Sequence, residues 1–384
     1  MNVVQVYGGP VFATLGGHEY LVRRLSEELS KLDLNIKVLC PGFGISVVCH
    51  ESKLVKYIEI PSYDLTPRIR FPKLSFLRFI IQHLRTADVV HAHCPDNPFV
   101  FFLTLISRLL NKPLIVTVLA YADDFKHHDK IKRISGLFTA AEQTIAIWIS
   151  DKLHVESLYD ANKLLMYKNK LVMIPPGVED HILTSKSSIE VQRLLESKIR
   201  QKKGEKIILY LGRIHKAKGL NHAVTAVAFL KKAQHKVKLV VAGRGNSFLK
   251  EIERSIVDLG LSNEFIYLGK VTDEEKIALL DLANVVVVPS LSDVVEAYSI
   301  VASEAWARKK LVVAYAVGAL KYRVKNGENG FLAKARHPKE LANAMTLALS
   351  RSMNCETPSD VWSWNEAVNE FKQAYEDIVK LRLQ

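Results

Sequence analysis

The sequence predicts an α/β protein built from two doubly wound parallel-sheet domains. Short β-rich runs alternate with helical patterns from end to end, the signature of strand–helix–strand units. The strand runs are apolar throughout rather than alternating, so they are buried on both faces, as in parallel sheets covered by helices. The alternation is interrupted once by a polar, Lys- and Ser-rich stretch, TSKSSIEVQRLLESKIRQKKGEK, and then begins again. A length of 384 residues is long for one ordinary domain and comfortable for two.

In the first series NVVQVY reads as a strand and HEYLVRRLSEELSKL as an amphipathic helix. NIKVLC, DVVHAH, PLIVTVLA, DKLHVES and KLVMIP follow as strands, with helical segments between most of them. In the second series the strands are KIILYLG, KVKLVVAG, EFIYLG, NVVVVPS and KLVVAY. PSDVWSWNEAVNEFKQAYEDIVKLRL forms a last amphipathic helix. The domains are expected at 1–177 and 178–361, with the helix at 362–384 after them. Ligands of open α/β sheets sit beyond the carboxyl ends of the strands, so both domains are expected to face a common cleft.

Composition limits the partners. The chain is 48% hydrophobic and 24% charged, enough for real cores. No apolar run reaches the ~18 residues of a membrane span, and FVFFLTLISRLL carries Arg108. MNVVQVYGG lacks the charged start and apolar region of a signal peptide. Cys40, Cys49, Cys94 and Cys355 form no CxxC pair, so neither a zinc site nor a disulfide framework is expected, and a cytoplasmic location fits. The net charge of +13 calls for acidic partners: nucleic acid, phosphorylated substrates or an anionic membrane. No nucleic-acid-binding module is recognisable, so nucleic acid is set aside.

Four stretches carry candidate chemistry. In YLGRIHKAKGL a strand ends at Gly212, Arg213 follows, and Lys218 lies just before a helix. Two cations at a sheet's carboxyl edge, beside a helix N-terminus, suit phosphate oxygens; a solvated basic loop is the plainer alternative. In VVAGRGN, Gly243 and Gly245 make a tight turn or allow close backbone approach to a ligand. In EAYSIVASE, Glu296 and Glu304 stand eight residues apart around Ala297, Tyr298, Ser299 and Ile300. A helix starting near Ala297 would put the carboxylates about 12 Å apart, the span of a diphosphate between two sugars. Each carboxylate would accept hydrogen bonds from vicinal hydroxyls, with the diphosphate at the helix N-terminus. A capping glutamate and an unrelated second one would give the same sequence. In YGGPVFATLGGHEYLVRRL, Gly16 and Gly17 precede the first helix, either as a flexible turn or as a place for close ligand approach.

Taken together these stretches resemble the retaining glycosyltransferases of family 4, with the two-Rossmann GT-B architecture, over nearly the whole chain. The family's Glu-x7-Glu pattern falls on Glu296 and Glu304, its GR…KG phosphate site on Arg213 and Lys218, and its GG loop on Gly16 and Gly17. DVVHAH, VMIPPGVE and VGALKYRVKNGENGFLA resemble further family blocks in the same order. The resemblance implies sugar transfer from a nucleotide-diphosphate sugar to an acceptor, with retained configuration and without metal or other cofactor. It implies that Glu296 binds the sugar and Glu304 the ribose, and that Arg213 and Lys218 neutralise the departing diphosphate. Gly16, Gly17, Gly212, Gly243 and the segment from Ala297 to Ile300 would line the donor. The first domain would take the acceptor, and the terminal helix would cross back onto it. The chain departs from the family at Leu119, where a histidine is usual, at EAYS in place of EGFG, and at GALKY in place of GGxPE. Asp123, Asp124, His127 and His128 lie just after Leu119 as substitutes for that histidine, or as a surface loop.

TPRIRFPKLSFLRFIIQHLR interleaves Arg68, Arg70, Lys73, Arg78 and Arg85 with Phe71, Phe76, Leu77 and Phe79. It suits an anionic membrane surface, with a lipid-linked acceptor, or is an ordinary amphipathic helix. Two other functions share the layout: a sugar-nucleotide epimerase, and a degenerate member that binds nucleotide sugar without turnover.

Overall fold

A computed structural model describes residues 1–9, 17–52, 55–66, 69–121, 130–351 and 355–383. Gly16, Arg68, Asp123, Asp124, His127 and His128 lie outside the described residues. The chain divides into two compact units, Met1–Pro176 with Trp364–Gln384, and Gly177–Ser363.

The first unit runs β1 (Asn2–Tyr7), α1 (Gly17–Ser30), β2 (Asn35–Gly42), β3 (Val48–Ser52), β4 (Val55–Thr66), β5 (Ile69–Pro72), α2 (Leu77–Arg85), β6 (Val89–His93), α3 (Pro98–Leu109), β7 (Leu114–Thr117), α4 (Lys130–Ile149), β8 (Lys152–Val155), α5 (Leu158–Lys163) and β9 (Leu171–Met173). The second runs α6 (Asp180–Thr184), α7 (Ile189–Ile199), β10 (Lys206–Leu211), α8 (Leu220–Lys232), β11 (Val237–Ala242), α9 (Phe248–Asp258), β12 (Phe265–Gly269), α10 (Asp273–Leu282), β13 (Val285–Val288), α11 (Ile300–Ala307), β14 (Leu311–Tyr315), α12 (Leu320–Arg323), β15 (Gly330–Ala333) and α13 (Pro338–Ser350). α14 (Trp364–Leu383) belongs to the first unit.

The sheet of the first unit has the order β3-β4-β2-β1-β6-β7-β8-β9, with β5 paired to β4. It is parallel except where β3 and β5 run against β4. The second sheet is parallel, in the order β12-β11-β10-β13-β14-β15. Strand order reverses between β1 and β6 in one sheet and between β10 and β13 in the other. Those are the positions where open α/β sheets bind ligands. The inner strands are buried on both faces: β6, β7, β11, β13 and β14 are buried at every position. Local signals set the helix starts. Asn97 caps α3 by accepting from the Phe99 amide at 2.9 Å, with Pro98 at the first turn. Thr272 and Glu275 form a reciprocal capping box on α10.

α14 packs on α1. Arg382 forks onto Asp151 at 2.7 and 3.1 Å and reaches Asn111 at 2.6 Å. The terminal helix therefore returns to the N-terminal region.

The structure corrects the sequence reading in three places. β3, β4, β5 and β15 were not expected as strands. β4 mixes polar residues and Pro61 into its run at the edge side of the sheet, so it lacks the continuous apolar stretch that marks a central strand. The basic–aromatic segment is not one amphipathic helix but β5, a short 3₁₀ turn and α2. Arg70 is accordingly buried, paired with Asp64 at 2.8 Å and stacked over Phe43. Third, the helix after β13 begins at Ile300 rather than near Ala297, and Glu296 ends a 3₁₀ turn, Asp293–Glu296. Among the described residues no helix is long and apolar enough to cross a membrane.

Candidate active site

The carboxyl ends of β10 and β13 gather the candidate residues of the second unit. β10 runs out into Gly212 and Arg213, and a 3₁₀ turn, Lys216–Lys218, leads to α8. Gly219 caps α8 at φ 71°, and a Cβ there would overlap the Pro289 carbonyl after β13. Only glycine fits both the left-handed backbone and that close approach. Gly243, at the end of β11, meets the Gly212 carbonyl in the same way. These glycines let three strand ends converge.

Lys218 and Glu296 meet in this gap. Lys218 Nζ donates to Glu296 Oε1 at 2.5 Å and to the Val295 carbonyl at 3.2 Å. Ser290 Oγ donates to the same carboxylate oxygen at 2.6 Å. Glu296 is only 2% exposed, whereas Lys218 is partly open to solvent. Arg213 is exposed, and its carbonyl accepts from Tyr210 Oη at 3.0 Å. Burial first, and then the charge of Glu296, push the Tyr210 hydroxyl upward, while Arg213 pulls it down. Tyr210 thus lies in the field of both groups, a neighbour the sequence reading missed.

The loop from Glu296 to Ser299 is held from below. Gly318 has φ 49° and sits against the Glu296 carbonyl, which also accepts from the Ala319 amide at 2.8 Å. Arg323 lies under the loop, only 5% exposed. It donates to the carbonyls of Tyr298 and Ser299 at 2.8 and 3.2 Å and to Ser303 Oγ at 2.8 Å. Its other edge grips Asp360 at 2.6 and 3.2 Å, and its plane stacks over the Tyr298 ring at 3.9 Å. Tyr298 is therefore a buried clamp rather than a surface contact. Ser299 caps α11 at φ 78°, with its Oγ buried and unpartnered. Ala297 precedes it in the same loop, and Ile300 starts the helix.

Glu304 is on α11 and buried, with Lys276 Nζ at 2.7 Å. Burial pulls the Lys276 ammonium down, but Glu304 and Asp273 outweigh it and leave its pKa raised. Each glutamate of the pair thus has its own lysine, Lys218 or Lys276. Gly17 is exposed at the start of α1 in the first unit. Among the described residues no cluster could hold a metal ion.

The first unit carries a second polar centre at the carboxyl ends of β6, β7 and β8. His154 Nε2 faces the Ile174 carbonyl at 2.8 Å, so it carries the proton and donates. That fixes the rest of a chain. Thr117 Oγ1 donates to His154 Nδ1 at 2.9 Å, His91 Nε2 donates to Thr117 Oγ1 at 2.7 Å, and Tyr375 Oη donates to His91 Nδ1 at 2.8 Å. Every link requires neutral imidazoles. Burial supplies them, lowering His154 to about 4 and His91 and His93 well below the ordinary value. A pocket opens beside the chain, lined by His18, His93, Glu156, Trp364 and Phe371 among others. The Trp364 indole N–H is buried without a partner. Leu119 lies just past β7, partly buried.

Comparison with known proteins covers both units. Residues 15–181 match the profile described as Glycosyltransferase Family 4, and residues 191–361 match Glycosyl transferases group 1. The chain is 28% identical over 272 residues to an uncharacterized glycosyltransferase, MJ1607, of Methanocaldococcus jannaschii, covering 68% of this chain and 66% of that protein. It is 24% identical over 364 residues to a D-inositol 3-phosphate glycosyltransferase of Corynebacterium urealyticum, covering 87% and 82%. In fold it is similar to sucrose-phosphate synthase from Thermosynechococcus elongatus, with a TM-score of 0.76, 19% identity and 99% of both chains covered.

Proposed function

The chain belongs to the family 4, group 1 glycosyltransferases, retaining enzymes of GT-B fold that take a sugar from a nucleotide sugar, and on that premise we propose how its own residues do so. The donor, a nucleotide-diphosphate hexose, binds the second unit at the carboxyl ends of β10 and β13. The reading rests above all on Lys218, Glu296 and Ser290 meeting on one carboxylate oxygen beside the exposed Arg213.

In the free enzyme Lys218 and Glu296 neutralise each other. An incoming diphosphate competes for the ammonium, and Arg213 adds a second cation with a fork suited to phosphate oxygens. Glu296, relieved of part of that bond, accepts from vicinal sugar hydroxyls. Glu304 serves the ribose in the same way. Gly212 and Gly243 leave the backbone bare, and the loop from Ala297 to Ile300 presents amides to the diphosphate. As the anomeric C–O bond breaks, charge builds on the departing diphosphate. Cations already in place stabilise it more than they stabilise the bound donor, and that difference is catalysis. The acceptor oxygen bonds to the face just vacated, and its proton leaves with the diphosphate.

The first unit binds the acceptor, a glycan or a lipid-linked sugar presented at an anionic membrane. Its neutral imidazoles and unpartnered indole suit uncharged hydroxyls. Gly17, exposed at the start of α1, leaves its backbone open to close ligand approach.

A thermal-shift screen of nucleotide-diphosphate sugars tests the donor reading. One donor should stabilise the protein by about 2.7 kcal/mol at a hundred times its dissociation constant. The reading fails if none of the common uridine, guanosine, adenosine or thymidine donors shifts the melting temperature. Formation of an isomeric nucleotide sugar without acceptor would indicate epimerisation instead.

A further inference from the structure

Two ion pairs join α10 to α11, and they differ in how fully their carboxylates are used. α10 runs back from the carboxyl end of β12, and α11 leaves the carboxyl end of β13 after the loop from Glu296 to Ser299. The first half of each helix therefore stands at the sheet edge that carries Arg213 and Lys218. Far from that edge, Arg308, just past the end of α11, grips Asp281 of α10. Its guanidinium reaches Asp281 Oδ1 at 2.6 and 2.8 Å and Oδ2 at 2.6 Å, and Ser187 Oγ donates to Oδ2 at 2.8 Å. Both oxygens are taken, and the two helices are locked together there.

Near the edge, Lys276 of α10 meets Glu304 of α11, and this bond is one-sided. Lys276 Nζ donates to Glu304 Oε1 at 2.7 Å. Glu304 Oε2 takes no hydrogen bond among the described residues, and it is not sealed from solvent. Yet Glu304 as a whole is only 8% exposed. A bare carboxylate oxygen in so enclosed a place is poorly solvated and gains from a donor. Lys276 is itself held in place. The Thr272–Glu275 capping box sets the start of α10, and the Lys276 amide donates to the Thr272 carbonyl at 2.9 Å. Asp273 Oδ1 lies 3.6 Å from the ammonium on an exposed side chain, so Glu304 is its close partner. A fixed ammonium on one oxygen sets the direction of the other.

We propose that Lys276 is a positioning residue of the donor site: it pins Glu304 so that the carboxylate accepts from both hydroxyls of a ribose, and it thereby selects ribonucleotide over 2′-deoxyribonucleotide donors. This rests on the reading of Glu304 given above and adds the residue that aims it. A carboxylate accepts and does not donate, whereas each ribose hydroxyl has a hydrogen to give. With Lys276 on one lone pair of Oε1, the other lone pair of Oε1 and the bare Oε2 take one hydroxyl each. A 2′-deoxyribose leaves one of these acceptors empty while the bound nucleotide shuts out water. A site built for a hydroxyl rejects the analogue that lacks it, because its own polar group is stranded. Asp281 and Arg308 already align the helices, so the aim of Glu304 is what Lys276 contributes.

Isothermal titration calorimetry with UDP, GDP, ADP and CDP, each beside its 2′-deoxy form, tests it. The wild type should bind at least one of the four, about tenfold or more tighter than the matching deoxy form. Lys276→Met should weaken the ribose form about tenfold and the deoxy form by no more than about twofold, so that the ratio falls toward one. A lysine that only supports the fold would weaken both forms alike and leave the ratio unchanged. Lys276→Met strands a buried carboxylate, so Lys276→Met/Glu304→Gln, which buries no charge, is measured beside it and should also show a ratio near one. Melting temperatures identify the folded variants. If no diphosphate binds the wild type, the donor reading falls and this proposal with it. If the wild type binds both forms equally, or a folded variant keeps the wild-type ratio, nucleotide binding stands and the role of Lys276 is wrong.

Discussion

Ser299 holds φ 78° with its hydroxyl buried and unpartnered, at a position where the sequence resemblance expects glycine. A non-glycine residue in that region costs ~1–3 kcal/mol, and the orphaned hydroxyl adds to it. Ser299→Gly should therefore stabilise the protein by about 1 kcal/mol after the extra freedom of the unfolded glycine is counted. A urea titration measures it, and a lower midpoint would mean that the serine has a partner in solution. Arg323 is the opposite case. It serves two carbonyls, a hydroxyl and Asp360, so Arg323→Ala should cost ~3 kcal/mol or more. Lys218→Ala should lower turnover about a hundredfold, the usual size of losing one transition-state charge contact. That Arg213 and Lys218 follow one strand end and Glu296 another was legible in the sequence, because glycines and apolar runs mark those ends. Arg323 was not, because its partners Tyr298, Ser303 and Asp360 are scattered through the sequence and meet only in the fold.

At the scale of elements, the β-rich runs with continuous apolar character were legible, and the strands that broke that rule were not. β4 and β5 mix polar residues and proline near the edge of the sheet, and β15 is four residues long. The start of α11 was misplaced because Ala297 and Tyr298 suit a helix, while Arg323 captures the carbonyls of Tyr298 and Ser299 instead. The imidazole chain also belongs to this scale. Parallel register places Thr117 opposite His154, and Tyr375 comes from α14, 284 residues beyond His91. No local pattern announces it. Tyr375→Phe removes the donor to His91 Nδ1 and should cost ~1–3 kcal/mol, read by thermal melting. The chain also sets a pH dependence. His154 titrates at about 4 when folded, whereas an unfolded histidine titrates near ~6.5. The unfolded state binds more protons between those values, so stability rises with pH there. Urea midpoints should therefore fall as pH is lowered from 7 to 5, and the contribution of this group should level off below its folded value. A flat profile through that window would mean that the imidazoles are not held neutral.

At the scale of the whole molecule, two parallel sheets carry different polar centres toward the carboxyl ends of their strands. The second unit gathers cations and one buried carboxylate, which suits an anionic ligand rich in hydroxyls. The first unit gathers neutral imidazoles and an indole, which suit uncharged hydroxyls. The two-unit layout was readable from the break in the strand–helix series, and the returning terminal helix from the family resemblance. That Phe138 and Trp148 of α4 stay exposed was not readable, because exposure depends on what each helix packs against. The central claim is that a nucleotide sugar is seated by Lys218, Glu296 and Arg213. Isothermal titration calorimetry of the donor found by the screen, against the wild type and Lys218→Ala, tests it most directly. The account predicts saturable binding to the wild type and at least about tenfold weaker binding to the variant, the scale of one lost charge-assisted contact. Equal affinity for both proteins would contradict it.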